Sequence, residues 1–442
     1  MIKMKFKTLL LTAFLLMIGI CVHGADAEER YLVKFNDSVQ LFSSREDSEV
    51  KDYCSATKDE LLEYIDAGIV ADYGKDYVVK LDSKEWNLSD IKAEFPEKLS
   101  CKGKNVKVAV IDTGFLGKAS NALEGYNYLD GNTDTTDNTK TLHGTIVSAL
   151  IASPYGVAGD AQFVPLKCFD EGHDTLVSEL LDAVEDAVDV YGCDVINMSF
   201  TFTGEKDSLA VRLFHEKVKY AAEKGVILVA SVGNDEDSTL NYPAAYDEVI
   251  GVGSVNENGE WSTFSNYNES VFVVAPGEDI PIFGGLASGT SFSAPHVSGL
   301  AAVAKCMDDS VDGEQFANIL AETAVRVDDK EYDTYYGYGI IDCEAMMKKV
   351  MGDYKAFISP IKTGEDGIYS AVYNNTAKAM TVRCICVYYD ATGNFEDCKT
   401  VDETIDSGDV YIFNNSDSKN DVSYFVWNDF GTLVPLAKIR NK

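Results

Sequence analysis

The sequence is poor in positive charge: 38 lysines and arginines face 72 aspartates and glutamates among 442 residues, a net charge of −34. A phosphate-bearing partner needs a basic surface, so this balance excludes nucleic acid as a partner and argues against anionic lipid. It favours solubility and weak self-association, and we expect a monomer. Apolar residues still make up 46% of the chain, which excludes wholesale disorder.

Long apolar runs are also scarce. One run near the amino terminus, Leu9–Val22, has 14 residues and falls short of the roughly 20 that cross a bilayer. Lysines precede this run and small residues follow it. That order predicts a secretory signal peptide over residues 1–24, with a buried N-terminal helix as the alternative. We therefore expect a secreted, extracellular chain with no transmembrane or lipid anchor.

Histidine is rare, with five residues in the chain, and His296 is the last of them. Cys384 and Cys386 lie two apart in a strand-like run and so point to one face, but a metal site there would need further cysteine or histidine ligands. We expect buried or disulfide-bonded cysteines at this position, and neither metal nor cofactor in the protein. Secretion permits disulfides, although ten cysteines over this length do not demand them.

The central part of the chain alternates apolar strands with amphipathic helices. Val106–Ile111, Val195–Ser199 and Val226–Val232 have the composition of buried strands, and residues 206–225 have the pattern of a helix. Repeated strand–helix–strand units predict an α/β fold, a mainly parallel sheet with helices on both faces.

Two smaller units flank this part. Upstream, residues 28–82 combine the strand-like runs Arg30–Phe35 and Tyr77–Leu81 with the helical stretch Lys58–Ile65, which predicts a small α+β unit. Beyond about residue 353, short aromatic and β-branched runs separated by turns predict a small all-β sandwich.

Four polar residues stand out against this background. Asp112 ends a buried strand, where open α/β sheets place their sites. His143 precedes an apolar helical run, and Ser291 starts a helix whose dipole favours developing negative charge. A serine hydroxyl becomes a nucleophile when a histidine takes its proton and a carboxylate holds that histidine in the right tautomer. Asn234 ends another strand, and its amide can donate to an oxyanion beside the Ser291 backbone N–H.

These residues lie in blocks that resemble those of the subtilisin-like serine proteases, the subtilases. Asp112 lies in Asp-Thr-Gly, His143 in His-Gly-Thr, Asn234 in Gly-Asn and Ser291 in Gly-Thr-Ser, in the family's order. The resemblance implies a subtilisin-like catalytic domain over residues 83–350. It also implies a serine endopeptidase for protein or peptide substrates, with the aspartate, histidine and serine as triad and the asparagine in the oxyanion hole.

The resemblance extends to the preceding segment. Residues 25–82 look like the subtilase propeptide, a folding chaperone and intramolecular inhibitor, and self-cleavage would fall between residues 78 and 88. A permanent N-terminal domain is the alternative. Residues 354–442 are expected to form a β-sandwich accessory domain, whose role is open between binding cell wall, binding substrate and capping the catalytic domain.

Substrate binding in the family uses two strands between which a peptide adds as a third. The resemblance assigns this role to Ser199, Phe200, Thr201, Ala230, Ser231, Val232, Gly233 and Asn241. Thr201 stands where glycine is usual, so its side chain should crowd the primary pocket. The short stretch Ala152–Val157 lacks the calcium-binding insertion of many subtilases, and we expect no calcium there.

Two questions stay open at this level. Asp235, Glu236 and Asp237 follow the oxyanion asparagine and form either a solvated acidic loop or a rim that favours basic substrate residues. The chain also fits a secreted binding protein that kept the fold without catalysis, or a processing enzyme with one peptide target.

Overall fold

A computed structural model describes residues 30–35, 53–57, 62, 70–75 and 86–441, except 155, 172–174, 329, 365–366, 391, 393, 416–420 and 428–439. It divides into two compact units, Met1–Ser83 and Lys84–Lys442. In the first unit, three antiparallel strands lie in the order β2-β1-β3, with β1 Arg30–Phe35, β2 Tyr53–Thr57 and β3 Val70–Lys75. The expected signal peptide and the predicted strand Tyr77–Leu81 lie outside the described residues, as does the predicted helix Lys58–Ile65 apart from Leu62.

The second unit is built on a seven-stranded sheet in the order β10-β9-β8-β7-β4-β6-β5, with every neighbouring pair parallel. The strands are β4 Lys107–Asp112, β5 Tyr126–Asn127, β6 Gln162–Lys167, β7 Val195–Met198, β8 Ile227–Ser231, β9 Val249–Val255 and β10 Val273–Pro276. A hairpin of β11 Ile280–Ile282 and β12 Gly285–Ala287 follows.

Helices cover this sheet on both faces, which confirms the predicted α/β architecture. They are α1 Trp86–Asp90, α2 Glu94–Lys98, α3 His143–Ala152, α4 Val177–Asp189, α5 Leu209–Glu223, α6 Thr290–Met307, α7 Gly313–Thr323 and α8 Cys343–Met351. One buried apolar cluster holds residues of α3, α6 and α8, and a second holds residues of α4 and α5. The continuous apolar character of the strands reflects this burial on two sides.

The predicted helix over residues 206–225 is shorter than expected. It begins after Ser208, whose hydroxyl accepts a hydrogen bond from the Val211 backbone N–H at 3.4 Å, and it ends at Glu223. Gly225 follows with a φ of 80°, a left-handed conformation that glycine adopts at little cost. Capping at both ends therefore sets the limits of α5.

The strand order also locates the crevice of the sheet. After β4, the chain adds β5 and β6 on one side and then β7 on the other. In open parallel sheets, such a switch point opens a cleft beyond the carboxyl ends of the strands. Asp112, the last residue of β4, lies at this edge.

The carboxyl-terminal part forms two four-stranded sheets. One contains β13 Ala356–Ile358, β14 Lys362–Gly364, β15 Gly367–Asn374 and β18 Val410–Asn415; the other contains β16 Met380–Tyr389, β17 Phe395–Ile405, β19 Asp421–Trp427 and β20 Arg440–Asn441. Both contribute to one buried apolar cluster, as a sandwich requires, and Cys384 and Cys386 lie buried within it as predicted. The sequence did not predict β17, because most of its side chains are exposed and few are apolar.

This β-sandwich packs on the same core as the parallel sheet. Phe357 and Tyr373 belong to the cluster that contains α3 and α6, and the Tyr373 ring meets the Phe95 ring edge-on at 5.6 Å. At the rim, the Lys104 Nζ atom donates to the Ile361 carbonyl at 2.6 Å. Residues 84–442 consequently form one compact unit.

None of the helices among the described residues is both long enough and apolar enough to cross a membrane. In the same part of the chain, no group of three or more histidine, cysteine, aspartate or glutamate residues is arranged to hold a metal ion.

Candidate active site

The structure brings Asp112 and His143 together at the carboxyl edge of the sheet. His143 is the first residue of α3, and its Nδ1 lies 2.7 Å from Asp112 Oδ1. The same carboxylate oxygen accepts the Thr113 backbone N–H at 2.7 Å. The Asp112 side chain is 3% exposed, so the contact lies in a largely water-free environment that strengthens it.

The glycine after His143 explains how α3 can begin so close to β4. A Cβ atom on Gly144 would lie 2.5 Å from the Gly114 carbonyl oxygen, a distance that no side chain tolerates. Its backbone N–H instead donates to Thr113 Oγ1 at 2.8 Å. The glycine of the His-Gly-Thr block is therefore required by the close approach of two backbones.

A buried carboxylate that the sequence analysis did not single out supports this helix start. Asp137 is fully buried, and its Oδ2 accepts the backbone N–H of Thr145 at 3.1 Å and its hydroxyl at 2.8 Å. The buried Lys167 holds the same loop through the Thr136 carbonyl at 2.9 Å and Asn138 Oδ1 at 2.7 Å. In the sequence, the sign of this buried polar arrangement was Lys167, a charged residue at the end of the apolar strand β6.

The electrostatics of His143 follow from these neighbours. Burial by itself lowers the pKa of its imidazole, but the charge of Asp112, the hydrogen bond to Asp112 and the charge of Asp137 outweigh burial. The pKa of His143 is therefore raised above its usual value. The ring remains 26% exposed, so one side of it is accessible from the cleft.

Ser291 lies in the first turn of α6, half-buried, and next to the end of β7. Its hydroxyl donates to the Ser199 carbonyl at 3.2 Å, while the Ser199 hydroxyl donates to the Ser291 carbonyl at 2.8 Å. Phe292, the next residue, has its ring centroid 5.3 Å from that of His143. Among the described contacts, the Ser291 hydroxyl therefore hydrogen-bonds the Ser199 carbonyl and not His143, and the neighbouring Phe292 is the residue that touches the histidine ring.

Asn234 follows β8 and faces the same helix start. Its Oδ1 accepts the Thr290 backbone N–H at 2.8 Å and the Thr290 hydroxyl at 3.0 Å. Because Thr290 occupies the oxygen, the amide nitrogen remains as a donor on an exposed side chain. Sequence reasoning identified this asparagine but not the threonine that orients it.

The residues assigned to substrate binding fall into two groups. Thr201 is exposed and Phe200 half-buried, and the next residue, Phe202, exchanges two backbone hydrogen bonds with Tyr242 at 2.8 and 2.9 Å. Ala230, Ser231, Val232, Gly233, Asn241 and Ser199 are buried. Asn241 Nδ2 donates to the Val232 carbonyl at 3.2 Å.

Comparison with known proteins adds an independent view. A model of the subtilase family matches residues 103–339. Subtilisin DY of Bacillus licheniformis is 32% identical over 274 residues, which cover 58% of this chain and 95% of that protein. The minor extracellular protease Epr of Bacillus subtilis (strain 168) is 30% identical over 275 residues, 59% of this chain, and the match covers 41% of Epr.

Solved structures give the same picture. MycP1 from Mycobacterium smegmatis is similar with a TM-score of 0.54 at 27% identity, over 61% of this chain and 87% of that chain. A protease from Pseudoalteromonas arctica PAMC 21717 is similar with a TM-score of 0.52 at 25% identity, over 59% of this chain and 93% of that chain.

Proposed function

Because this chain belongs to the subtilase family and is a serine-type endopeptidase, we propose that Asp112, His143 and Ser291 are its catalytic triad. The observation that carries the proposal is the 2.7 Å contact between Asp112 and His143 Nδ1, beside the helix start that bears Ser291. Asp112 keeps the proton on Nδ1, so Nε2 takes the proton of the serine hydroxyl as it attacks the scissile carbonyl. Replacement of Ser291 by alanine tests the proposal.

The oxyanion of the tetrahedral intermediate would be bound by Asn234 Nδ2 and the Ser291 backbone N–H. Donors fixed before the reaction stabilise the charge that develops in the transition state. Asn234 is fixed in this way, because turning its amide over would break both hydrogen bonds that Thr290 donates to Oδ1.

The Asn234→Ala variant should therefore lose about 10²–10³-fold in kcat, the range established for one oxyanion donor in this family, with little change in KM. Steady-state hydrolysis of a chromogenic peptide measures both constants. The variant should melt a few degrees lower, because the buried Thr290 loses the acceptor of two hydrogen bonds, so kcat is compared well below the melting temperature of both proteins. An unaltered kcat would remove Asn234 from the oxyanion hole.

The acid limb of the pH profile should report His143, because its protonated form cannot act as a base. The pKa of His143 is raised in part by Asp137, so Asp137→Asn should lower that pKa and move the acid limb of kcat/KM to lower pH. The matched control is Asp134→Asn, an exposed carboxylate of the same loop, whose profile should match wild type. An acid limb of Asp137→Asn that coincides with wild type would contradict the assignment.

We further propose that the chain is exported through the segment 1–24 and processed by its own catalytic domain at a bond between residues 78 and 88. Residues 25–82 would then act as the intramolecular inhibitor. The three-stranded sheet β2-β1-β3 supports a folded unit there, separate from residues 84–442. The extracellular nature of Epr supports export.

The segment Ser199–Thr201, which continues beyond the end of β7, would bind the main chain of a peptide substrate. A peptide strand between this segment and β8, as expected from the sequence, does not fit the sheet, because β8 pairs with β7 on one side and with β9 on the other. Ala230, Ser231 and Val232 would then contribute only a wall of the primary pocket. Thr201, exposed on the opposite segment, is the side chain we propose to restrict the primary pocket.

A further inference from the structure

Two buried thiols meet at the end of α6 that lies away from Ser291. Cys101 follows α2 and is fully buried, and Cys306 is the penultimate residue of α6 and is 8% exposed. Their sulfur atoms lie 3.4 Å apart, although the residues are 205 positions apart in sequence. Only the fold brings these two side chains together.

We propose that Cys101 and Cys306 form a disulfide bond in the mature protein. An S–S bond is about 2 Å long, so the sulfur atoms need to approach by roughly 1.4 Å. The two thiols lose two protons and two electrons as the S–S bond forms. A low-molecular-weight disulfide or the disulfide of a thiol oxidoreductase accepts them and is reduced to two thiols.

The bond would join the first helices of the second unit to the helix that carries Ser291. A hydrogen bond already joins α1 to α6 nearer the start of α6, where Asn87 Nδ2 lies 3.0 Å from His296 Nε2. Both side chains are buried, and burial lowers the pKa of His296 to about 4. His296 is therefore neutral at pH 7 and accepts this bond, because its Nδ1 donates to the Phe292 carbonyl at 2.8 Å.

The disulfide has a consequence that rests on the proposed processing. Cleavage between residues 78 and 88 would leave a new chain end directly at α1, and chain ends are where unfolding begins. With Cys101 linked to Cys306, only the residues that precede Cys101 can separate from α6. The bond also closes a loop of about 200 residues, and long loops are those whose closure most restricts the unfolded chain.

The test uses the chain from residue 28 onwards with Ser291→Ala, which prevents self-digestion. The folded protein is equilibrated with excess oxidised glutathione, alkylated and digested without reductant. The expected result is a linked pair of peptides containing Cys101 and Cys306, lighter by two hydrogen atoms than the sum of the separate peptides. Reductant should then lower the melting temperature by about 5–10 °C.

Cys343→Ala is the matched control, because Cys343 is a buried thiol of the same apolar cluster. This control should respond to reductant as the parent does, whereas Cys306→Ala should show no response. If Cys306→Ala does not fold, the peptide map and the reductant response of the parent decide. Separate alkylation of Cys101 and Cys306, or a link from either to another cysteine, would overturn the proposal. These readouts require neither activity nor export, so their failure is distinct from failure of the proposed function.

Discussion

Replacing Ser291 by alanine should reduce peptide hydrolysis by about 10⁶-fold, the loss known for the nucleophile of this family. The reason is that neighbouring hydroxyls are already engaged, since Thr290 donates to Asn234 and Ser199 donates to the Ser291 carbonyl. The same substitution should abolish self-processing. Wild-type chain expressed from residue 28 should divide between residues 78 and 88, while the variant stays whole in intact mass spectrometry.

The melting temperature provides the control for this experiment, since Ser291→Ala removes one oxygen from a half-buried position and should leave the fold intact. A variant that still hydrolyses peptides at the wild-type rate would exclude Ser291 as nucleophile. If wild type stays whole, and if it is still inactive once residues 28–82 have been removed deliberately, the binding-protein alternative is favoured over catalysis.

Replacing Tyr373 by alanine should destabilise residues 84–442 by about 3–5 kcal/mol, the usual effect of removing a buried aromatic ring. Tyr373 lies in β15 of the sandwich, is 4% exposed and packs against Phe95 of α2. Its loss leaves a cavity between the sandwich and the parallel-sheet core. Thermal unfolding should show a melting temperature lower by about 10 °C.

Two matched variants separate packing from other effects. Tyr373→Phe keeps the ring and should melt close to wild type. Ile412→Ala removes an apolar side chain from the neighbouring strand β18, but this residue is 41% exposed and its loss should cost less than about 0.5 kcal/mol. If Tyr373→Ala and Ile412→Ala have the same melting temperature, the contact of Tyr373 with Phe95 contributes nothing to stability. The outcome also bears on the role of the sandwich. A large loss of stability in Tyr373→Ala favours a sandwich that caps the parallel-sheet core over a binding module that moves independently of it.

Much of the fold could be predicted from local patterns. Strands β4, β7 and β8 were located to within one residue or so at each end, because a strand buried on both faces is a continuous apolar run. The limits of α5 were predicted less accurately. The Ser208 cap determines where the helix starts, and the periodicity of apolar residues contains no information about a cap. β17 was missed because its exposed, charged residues carry no apolar alternation.

The sequence by itself determined the chemistry that is available: a carboxylate, an imidazole, an amide and a hydroxyl, each in a short block next to a strand end or a helix start. Such blocks are recognisable because turn and helix-start geometry restricts consecutive residues, as Gly144 illustrates through its contact with Gly114. The resemblance to the subtilases rested on those blocks.

Only the tertiary structure decided which of these groups meet and what surrounds them. The orientation of Asn234 by Thr290 and the contact of Cys101 with Cys306 join segments that lie far apart along the chain. Contacts of this kind depend on how helices and strands pack across the sheet, so no local pattern encodes them. The same holds for the sandwich, whose Tyr373 is part of the core beside the parallel sheet through packing alone.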